Sequence, residues 1–180
     1  MSTRKRITFL IALMIGTLVA TTACGGDSLD PEFAKVNPGS RTYSIDDFQS
    51  VGFKVVKEYD VEGLIGAKTA VHGFLKVIGL VPQSYELRFY ETHEDAVRLG
   101  TALAEEITGE DAVMVAGDMT WTAGKREQRE RANDHGGYAP FYWNFAIYGN
   151  VVMLCEGDWP EQSLEVCSQL QEVLDGRVHS

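Results

Sequence analysis

The stretch FYWNFAIYGNVVMLCEGDWPEQSLEVCSQLQEVL, residues 141–174, decides the fold. Two runs rich in aromatic and β-branched residues flank Gly149-Asn150, a pair typical of a two-residue hairpin turn. The turn sets the predicted register, with Phe145 opposite Leu154 and Ile147 opposite Val152. From Trp159 to about Leu174 the apolar residues then recur at helical spacing, which predicts a helix. A hairpin followed by a helix therefore closes the chain.

Upstream, residues 84–90 alternate in a way that predicts a strand with two distinct faces. Tyr85, Leu87 and Phe89 lie on one face, and Glu86, Arg88 and Tyr90 on the other. A helix follows directly, because Thr92 and Asp95 form an N-terminal cap pattern. Gly109 stands where a glycine ends such a helix.

The remaining segments give weaker patterns. Residues 44–47 read as a cap for a short helix, and residues 53–59 fit a strand or a helix equally. The spacing over 64–78 predicts a helix, with His72 near its apolar face. Residues 112–116 predict a short strand.

The order of elements predicts an α+β domain: an antiparallel or mixed sheet with helices packed on one face. A ferredoxin-like sandwich is one candidate by this order. The predicted divisions are a signal peptide at 1–23, a lipidated N-terminus and flexible tether at 24–41, one globular domain at 42–176, and a tail at 177–180.

The composition agrees with a folded domain. The chain has 180 residues, of which 44% are hydrophobic, and 26 acidic residues face 16 basic ones for a formal charge of −10. These values exclude a collagen-like, low-complexity or wholly disordered chain.

The N-terminus has the three parts of an export signal: basic residues at 4–6, an apolar run at 7–20, and small residues before Cys24. This segment resembles the signal peptide of bacterial lipoproteins, although Thr21 stands where their lipobox usually has Leu. The resemblance implies cleavage after Ala23 and a lipid on Cys24. A plain signal peptide and an uncleaved anchor helix are the alternatives. The rest of the chain resembles small uncharacterised bacterial lipoproteins, a likeness that supplies no chemistry.

Export sets the expected location and partners. Residues 1–23 contain three basic residues and no acidic one, so the mature chain would carry −13. This charge argues against nucleic-acid binding and against attraction to anionic headgroups. We therefore expect the lipid on Cys24 to hold the protein on the extracytoplasmic face of the cell membrane or envelope.

The two other cysteines are Cys155, at the end of the second hairpin strand, and Cys167, on the inward side of the last helix. An even pair in an oxidising compartment favours a disulfide. Two separate buried thiols are the alternative.

A candidate binding face lies in residues 117–139, a long segment with little periodicity. It comprises Trp121, Lys125, Arg126, Arg129, Arg131 and His135. Because Glu127 and Glu130 alternate with the basic residues, a solvated, self-paired helix is the competing interpretation. As a binding face it would take an envelope protein or a small anion.

The sequence shows no assembled catalytic site, metal site or cofactor motif. His93 and His135 each have a carboxylate beside them, which is the basis of a rival hypothesis of an envelope enzyme, either a hydrolase or metal-dependent. The favoured hypothesis is a non-enzymatic binding or assembly role. A small-ligand receptor is a further alternative.

Overall fold

A computed structural model describes residues 33–131 and 137–179. Its strands are β1 (Val36–Asn37), β2 (Lys54–Tyr59), β3 (Thr69–Leu75), β4 (Gln83–Phe89), β5 (Arg129–Arg131), β6 (Tyr138–Pro140), β7 (Tyr142–Tyr148) and β8 (Val151–Glu156). Its helical segments are α1 (Ile45–Ser50), α2 (His93–Asp95), a π-helical turn (Ala96–Gly100), α3 (Thr101–Glu105) and α4 (Pro160–Leu174).

Six strands form one mixed sheet in the order β1-β7-β8-β4-β3-β2, and β5 and β6 form a separate pair. Neighbouring strands from β2 to β7 are antiparallel, whereas β1 runs parallel to β7. The predicted α+β class is confirmed. The strand order is not that of a ferredoxin-like sandwich, whose elements follow a βαββαβ order.

The closing hairpin has the predicted register. Phe145 pairs with Leu154 and Ile147 with Val152. Gly149 has a φ of 55°, a left-handed conformation that a glycine adopts without steric cost. The helix that follows the hairpin, α4, begins at Pro160 as predicted.

One face of the sheet is covered by α1 and α4. This first core combines aromatic residues of α1 and the strands with apolar residues of α4: Phe48, Phe53, Tyr85, Leu87, Phe89, Met153, Val166 and Leu170. The ring centroids of Phe48 and Phe89 lie 5.5 Å apart, in an edge-to-face arrangement. Among the described residues, no charged side chain is buried on this face.

The opposite face is covered by the helical segment from α2 to α3 and by the irregular segment at 106–128. Its apolar residues include Tyr90, Ala96, Ala104, Phe145, Ile147, Val152 and Leu154. Helices therefore lie on both faces, and the prediction that they pack on one face is corrected. Because both faces of the sheet are covered, the polarity of a strand residue does not show on which face its side chain lies.

Two predicted elements differ in the structure. Residues 64–78 contain β3 and no helix, because Ala70 and Val71 are both buried, one on each face of a covered sheet. Strand residues of this kind form a continuous apolar run that also satisfies helical spacing. Residues 112–116 form no strand; the Val113 amide donates instead to the carbonyl of Glu106.

The sheet also includes part of the predicted tether. Val36–Asn37 pairs with β7, and Phe33 packs against the first core. The segment from 33 onward is therefore ordered against the domain, since its backbone hydrogen bonds are made with β7. At the other terminus, the amide of Ile78 donates to the carbonyl of His179. None of the helices in the described residues has both the length and the apolarity needed to span a bilayer.

Candidate functional site

Two charged residues of β4, Glu86 and Arg88, lie entirely inside the protein, with exposed fractions of 0% and 1%. They occupy alternate positions of one strand and therefore point to the same face, the one beneath α3 and the segment 106–128. Arg88 Nε donates to Glu86 Oε1 at 2.7 Å. Burial of two charges is costly, so each needs further partners.

Gln128 supplies further partners to Glu86. Its Nε2 donates to both carboxylate oxygens, at 3.1 Å and 2.8 Å. Gly124 lies directly above this contact, where a Cβ atom would fall 2.3 Å from Gln128 Nε2. The contact therefore requires a residue without a side chain at position 124.

Arg88 is held by backbone and aromatic groups. Its Nη1 donates to the carbonyl of Leu103 at 3.0 Å, and its guanidinium lies 5.1 Å from the ring centre of Trp121. Trp121 in turn donates from Nε1 to the carbonyl of Asp60 at 3.0 Å. The charge of Arg88 is thus neutralised by a carboxylate and shielded by an aromatic ring.

Partly buried polar groups lie around this pair. Lys57 Nζ donates to Glu127 Oε2 at 3.0 Å, and the Tyr59 hydroxyl donates to the same oxygen at 3.3 Å. His72 Nδ1 lies 2.9 Å from the Tyr142 hydroxyl. We call the whole group the polar cluster: Lys57, Tyr59, His72, Glu86, Arg88, Glu127, Gln128 and Tyr142.

Burial sets the protonation of the cluster. It raises the pKa of the Tyr59 and Tyr142 hydroxyls, an effect that nearby carboxylates reinforce. It lowers the pKa of His72, against the opposing influence of Glu127 and Glu86. The desolvation of charged forms is the common cause. At neutral pH both tyrosines keep their protons and His72 is neutral.

The arrangement is suited to holding a segment in place. The Glu86 carboxylate accepts three hydrogen bonds from Arg88 and Gln128 and has no exposed surface. Gln128 belongs to the segment 117–131, so the buried pair fixes that segment to the sheet. A substrate would have to displace this segment to reach the carboxylate.

The predicted binding face is divided by the structure. Trp121 is 4% exposed and belongs to the core, because its indole packs between Tyr59 and Arg88. Arg129 also has internal partners: its Nη1 donates to the carbonyl of Met114 at 2.6 Å, and its guanidinium lies 3.9 Å from the Tyr138 ring centre.

The other basic residues of that face have different positions. Lys125 and Arg126 are exposed on a turn. Arg131 ends β5, and His135 lies outside the described residues. The competing prediction of a self-paired helix is wrong, since residues 125–131 form turns followed by β5.

His93 begins α2, as the cap pattern predicts, and the Thr92 hydroxyl accepts from the Asp95 amide at 3.1 Å. The Nδ1 atom of His93 lies 2.7 Å from the carbonyl oxygen of Gly149. The ring therefore links α2 to the hairpin turn. Within the described residues, no group of three or more His, Cys, Asp or Glu side chains is placed to hold a metal ion.

A disulfide joins Cys155 and Cys167, as predicted, with Cα atoms 5.6 Å apart. It links the end of β8 to the middle of α4 and lies within the first core, where both cysteines are fully buried. The hairpin and the helix that follows it are therefore covalently joined.

A shallow cleft of about 290 Å³ opens beside the hairpin turn. It is lined by residues 42–45, 68–69 and 89–91 and by Asn150. Asn150 uses its side-chain amide on the backbones of Tyr43 and Tyr90. The charged residues at the rim of the cleft are Lys68 and Glu91, which form an exposed ion pair with an N–O distance of 3.2 Å.

Sequence reasoning missed Glu86, Arg88 and Gln128. It placed the first two on the polar side of a strand, which is normally the solvent side. One signal was available, namely opposite charges two residues apart in a strand whose other neighbours are apolar. Gln128, from a distant irregular segment, gave no signal.

Comparison with known proteins gives one match. Residues 44–176 match a family of unknown function, DUF6810, and the chain belongs to that family. No curated protein and no solved structure matches the chain.

Proposed function

We propose that this member of DUF6810 is a lipid-anchored extracytoplasmic protein whose folded domain acts by binding another molecule and not by catalysis. The observation that carries the proposal is the Cys155–Cys167 disulfide. Disulfides persist in oxidising compartments outside the cytoplasm and are rare inside it. The bond therefore supports export, which the basic and apolar N-terminal segment indicates independently.

The disulfide also leaves one cysteine for a separate role. The chain has three cysteines, and Cys155 and Cys167 use each other. The third, Cys24, lies outside the described residues and directly follows the small residues at 21–23. A lone cysteine at that position is the one that a lipoprotein signal would lipidate.

The polar cluster supports binding over catalysis. A catalytic acid or base must come within hydrogen-bond reach of its substrate. The carboxylate of Glu86 instead accepts hydrogen bonds from Arg88 and Gln128 and has no contact with solvent. What this pair does is hold the segment 117–131 in a defined shape.

That segment presents the proposed binding surface, Lys125 and Arg126. Both are exposed, whereas Trp121 and Arg129 beside them are bound internally. On a chain of strongly negative charge, two exposed cations fit an acidic patch of an envelope protein or a small anion.

The anchor is tested by metabolic labelling with a fatty-acid probe. Wild type should incorporate label, and Cys24→Ser should not, because it lacks the acceptor sulfur. The matched control is Cys155→Ala with Cys167→Ala, which removes the other two cysteines and should still be labelled. Equal labelling of wild type and Cys24→Ser would contradict the assignment.

The binding surface is tested by crosslinking in cells. Lys125→Gln with Arg126→Gln should remove partner crosslinks that wild type forms, more clearly at low salt, where the attraction is least screened. The control, Lys68→Gln with Arg98→Gln, removes two other exposed cations and should leave the crosslinks unchanged. Identical patterns for the two variants would refute this surface.

A further inference from the structure

The turn between β3 and β4 carries three exposed aliphatic side chains close together. Ile78 is 72% exposed, Val81 is 70% exposed and Leu80 is 44% exposed. We call this turn, residues 77–82, the apolar tip. Three exposed aliphatic residues within four positions form an apolar patch, and such patches are a common feature of contact sites.

The direction of β1 places the N-terminal chain at the same end of the sheet. The tip lies at the end of the sheet where β4 begins, since Gln83 pairs with Leu75 at the end of β3. β7 begins at this same end, because Tyr142 pairs with Glu156 at the end of β8, the strand that lies between β7 and β4. Since β1 runs parallel to β7, the chain enters β1 from the end where β7 begins. β1 itself lies beside the last residues of β7, with Val36 opposite Ile147, and the chain before it runs toward the beginning of β7, where Lys35 Nζ donates to Asn144 at 2.7 Å.

A short segment separates that entry point from the proposed anchor. Residues 24–32 contain nine residues. A fully extended chain spans at most about 3.5 Å per residue, so Cys24 lies within roughly 30 Å of Phe33. A lipid on Cys24 would therefore keep this end of the sheet close to the bilayer.

The segment that forms the tip contains no acidic residue. Residues 73–85, which run from β3 through the tip into β4, include one charged residue, Lys76. Glu156, Asp158 and Glu161 lie at the same end of the sheet, at the end of β8 and the start of α4. Lys76 directly precedes the tip and is exposed. Lysines beside aliphatic residues suit the boundary between headgroups and acyl chains.

A fourth apolar side chain lies at this end. Trp159, 49% exposed, caps the start of α4 just after β8 ends. Tryptophan is enriched at membrane–water boundaries, because its ring is apolar and its N–H is polar. It would sit at headgroup level while the tip lies deeper.

We propose that the apolar tip inserts into the interfacial region of the membrane that carries the anchor. This inference rests on the proposed lipid anchor at Cys24. The two contacts together would fix how the domain stands on the membrane, with Lys125 and Arg126 held in one orientation relative to the surface.

The test uses the full lipidated chain in vesicles of phosphatidylethanolamine and phosphatidylglycerol, with and without bromine on the acyl chains. Leu80→Trp places a fluorophore in the tip. Ile65→Trp is the matched control, because Ile65 is 61% exposed and lies between β2 and β3, at the opposite end of the sheet. Wild type provides the background of its own tryptophans.

Brominated lipid should remove the added emission of Leu80→Trp and leave that of Ile65→Trp unchanged. Equal emission loss in both variants, or none in either, would overturn the inference while the lipid mass on Cys24 still supported the anchor. A blue shift of Leu80→Trp without bromine quenching would assign the tip to a protein contact, a second copy included, and would also overturn it. Absence of the lipid mass would refute the proposed function and this inference together.

Discussion

The two faces of the sheet are built on different principles, although they share the same strands. Beneath α1 and α4 the face is apolar, and a disulfide joins the covering helix to β8. Beneath the segment 106–128 the face contains an ion pair with 0% and 1% exposure. The first face is held by apolar burial and one covalent bond, and the second by geometrically specific polar contacts.

This difference determines how strongly each face should respond to substitutions. Apolar contacts have little directional preference and tolerate rearrangement, so damage to the first face is local. A buried charge that loses its partner has no alternative nearby, and its desolvation is then uncompensated. The polar face should therefore respond more steeply to single changes, and it should be repaired only by paired ones.

The largest effect is expected from Glu86→Ala. Removing the carboxylate leaves Arg88 buried without its counter-ion and should lower the free energy of unfolding by about 3–5 kcal/mol. Replacing both residues, as Glu86→Leu with Arg88→Met, should recover part of this loss, the remainder being the cost of the buried Gln128 amide that has lost its acceptor. Denaturant unfolding measures both. If the double variant were less stable than the single one, the charges would contribute net stability and the contrast between the faces would fail.

Next is the disulfide of the apolar face. Cys155→Ala should lower the free energy of unfolding by about 3 kcal/mol, because the short loop it closes is no longer restrained in the unfolded chain. Cys167→Ala should cost about the same, and the double variant little more, since either change removes the same bond. Thermal unfolding without reductant tests this. Additive losses would show that packing of each side chain, and not the bond, determines the stability.

His72 should give the polar face a pH dependence. Its pKa is lowered in the folded protein by burial. The unfolded chain, with an ordinary histidine pKa of about 6.5, therefore binds the proton first. As pH falls below about 6.5, the free energy of unfolding should decrease until the folded pKa is passed. His72→Gln should show a shallower decrease over this interval, measured by urea unfolding at a series of pH values. Identical slopes would exclude His72 as a source of the dependence.

The smallest effect is expected at the exposed edge of the polar face. Lys125→Gln with Arg126→Gln should change the free energy of unfolding by less than about 0.5 kcal/mol, because exposed charges contribute little. Arg129→Gln, with its bond to the Met114 carbonyl, should cost more. Circular dichroism during thermal unfolding compares the two. Equal losses would mean that the segment does not divide into exposed and internal cations.

The same contrast explains what the sequence predicts. The hairpin register and α4 follow from local rules, because a two-residue turn fixes the pairing and apolar spacing fixes the helix. The alternation of β4 correctly separates Tyr85 from Glu86. It cannot show that the side of Glu86 is covered, since the covering residues, Gln128 and Trp121, come from a segment without periodicity. β3 is missed for a related reason, because it has buried apolar residues on both faces, Ala70 and Val71 among them.

The N-terminal strand has a mechanical consequence. Two backbone hydrogen bonds flank β1, from Ile147 to the carbonyl of Lys35 and from Gly149 to that of Asn37. A pull along the N-terminal chain would load them lengthwise, in shear. Behind them, Tyr43 is bound to Asn150 through both its amide and its carbonyl. Such a pull would slide β1 off β7 and add several residues to the N-terminal segment before the force reached α1, so the detachment of β1 would relieve tension on the rest of the domain.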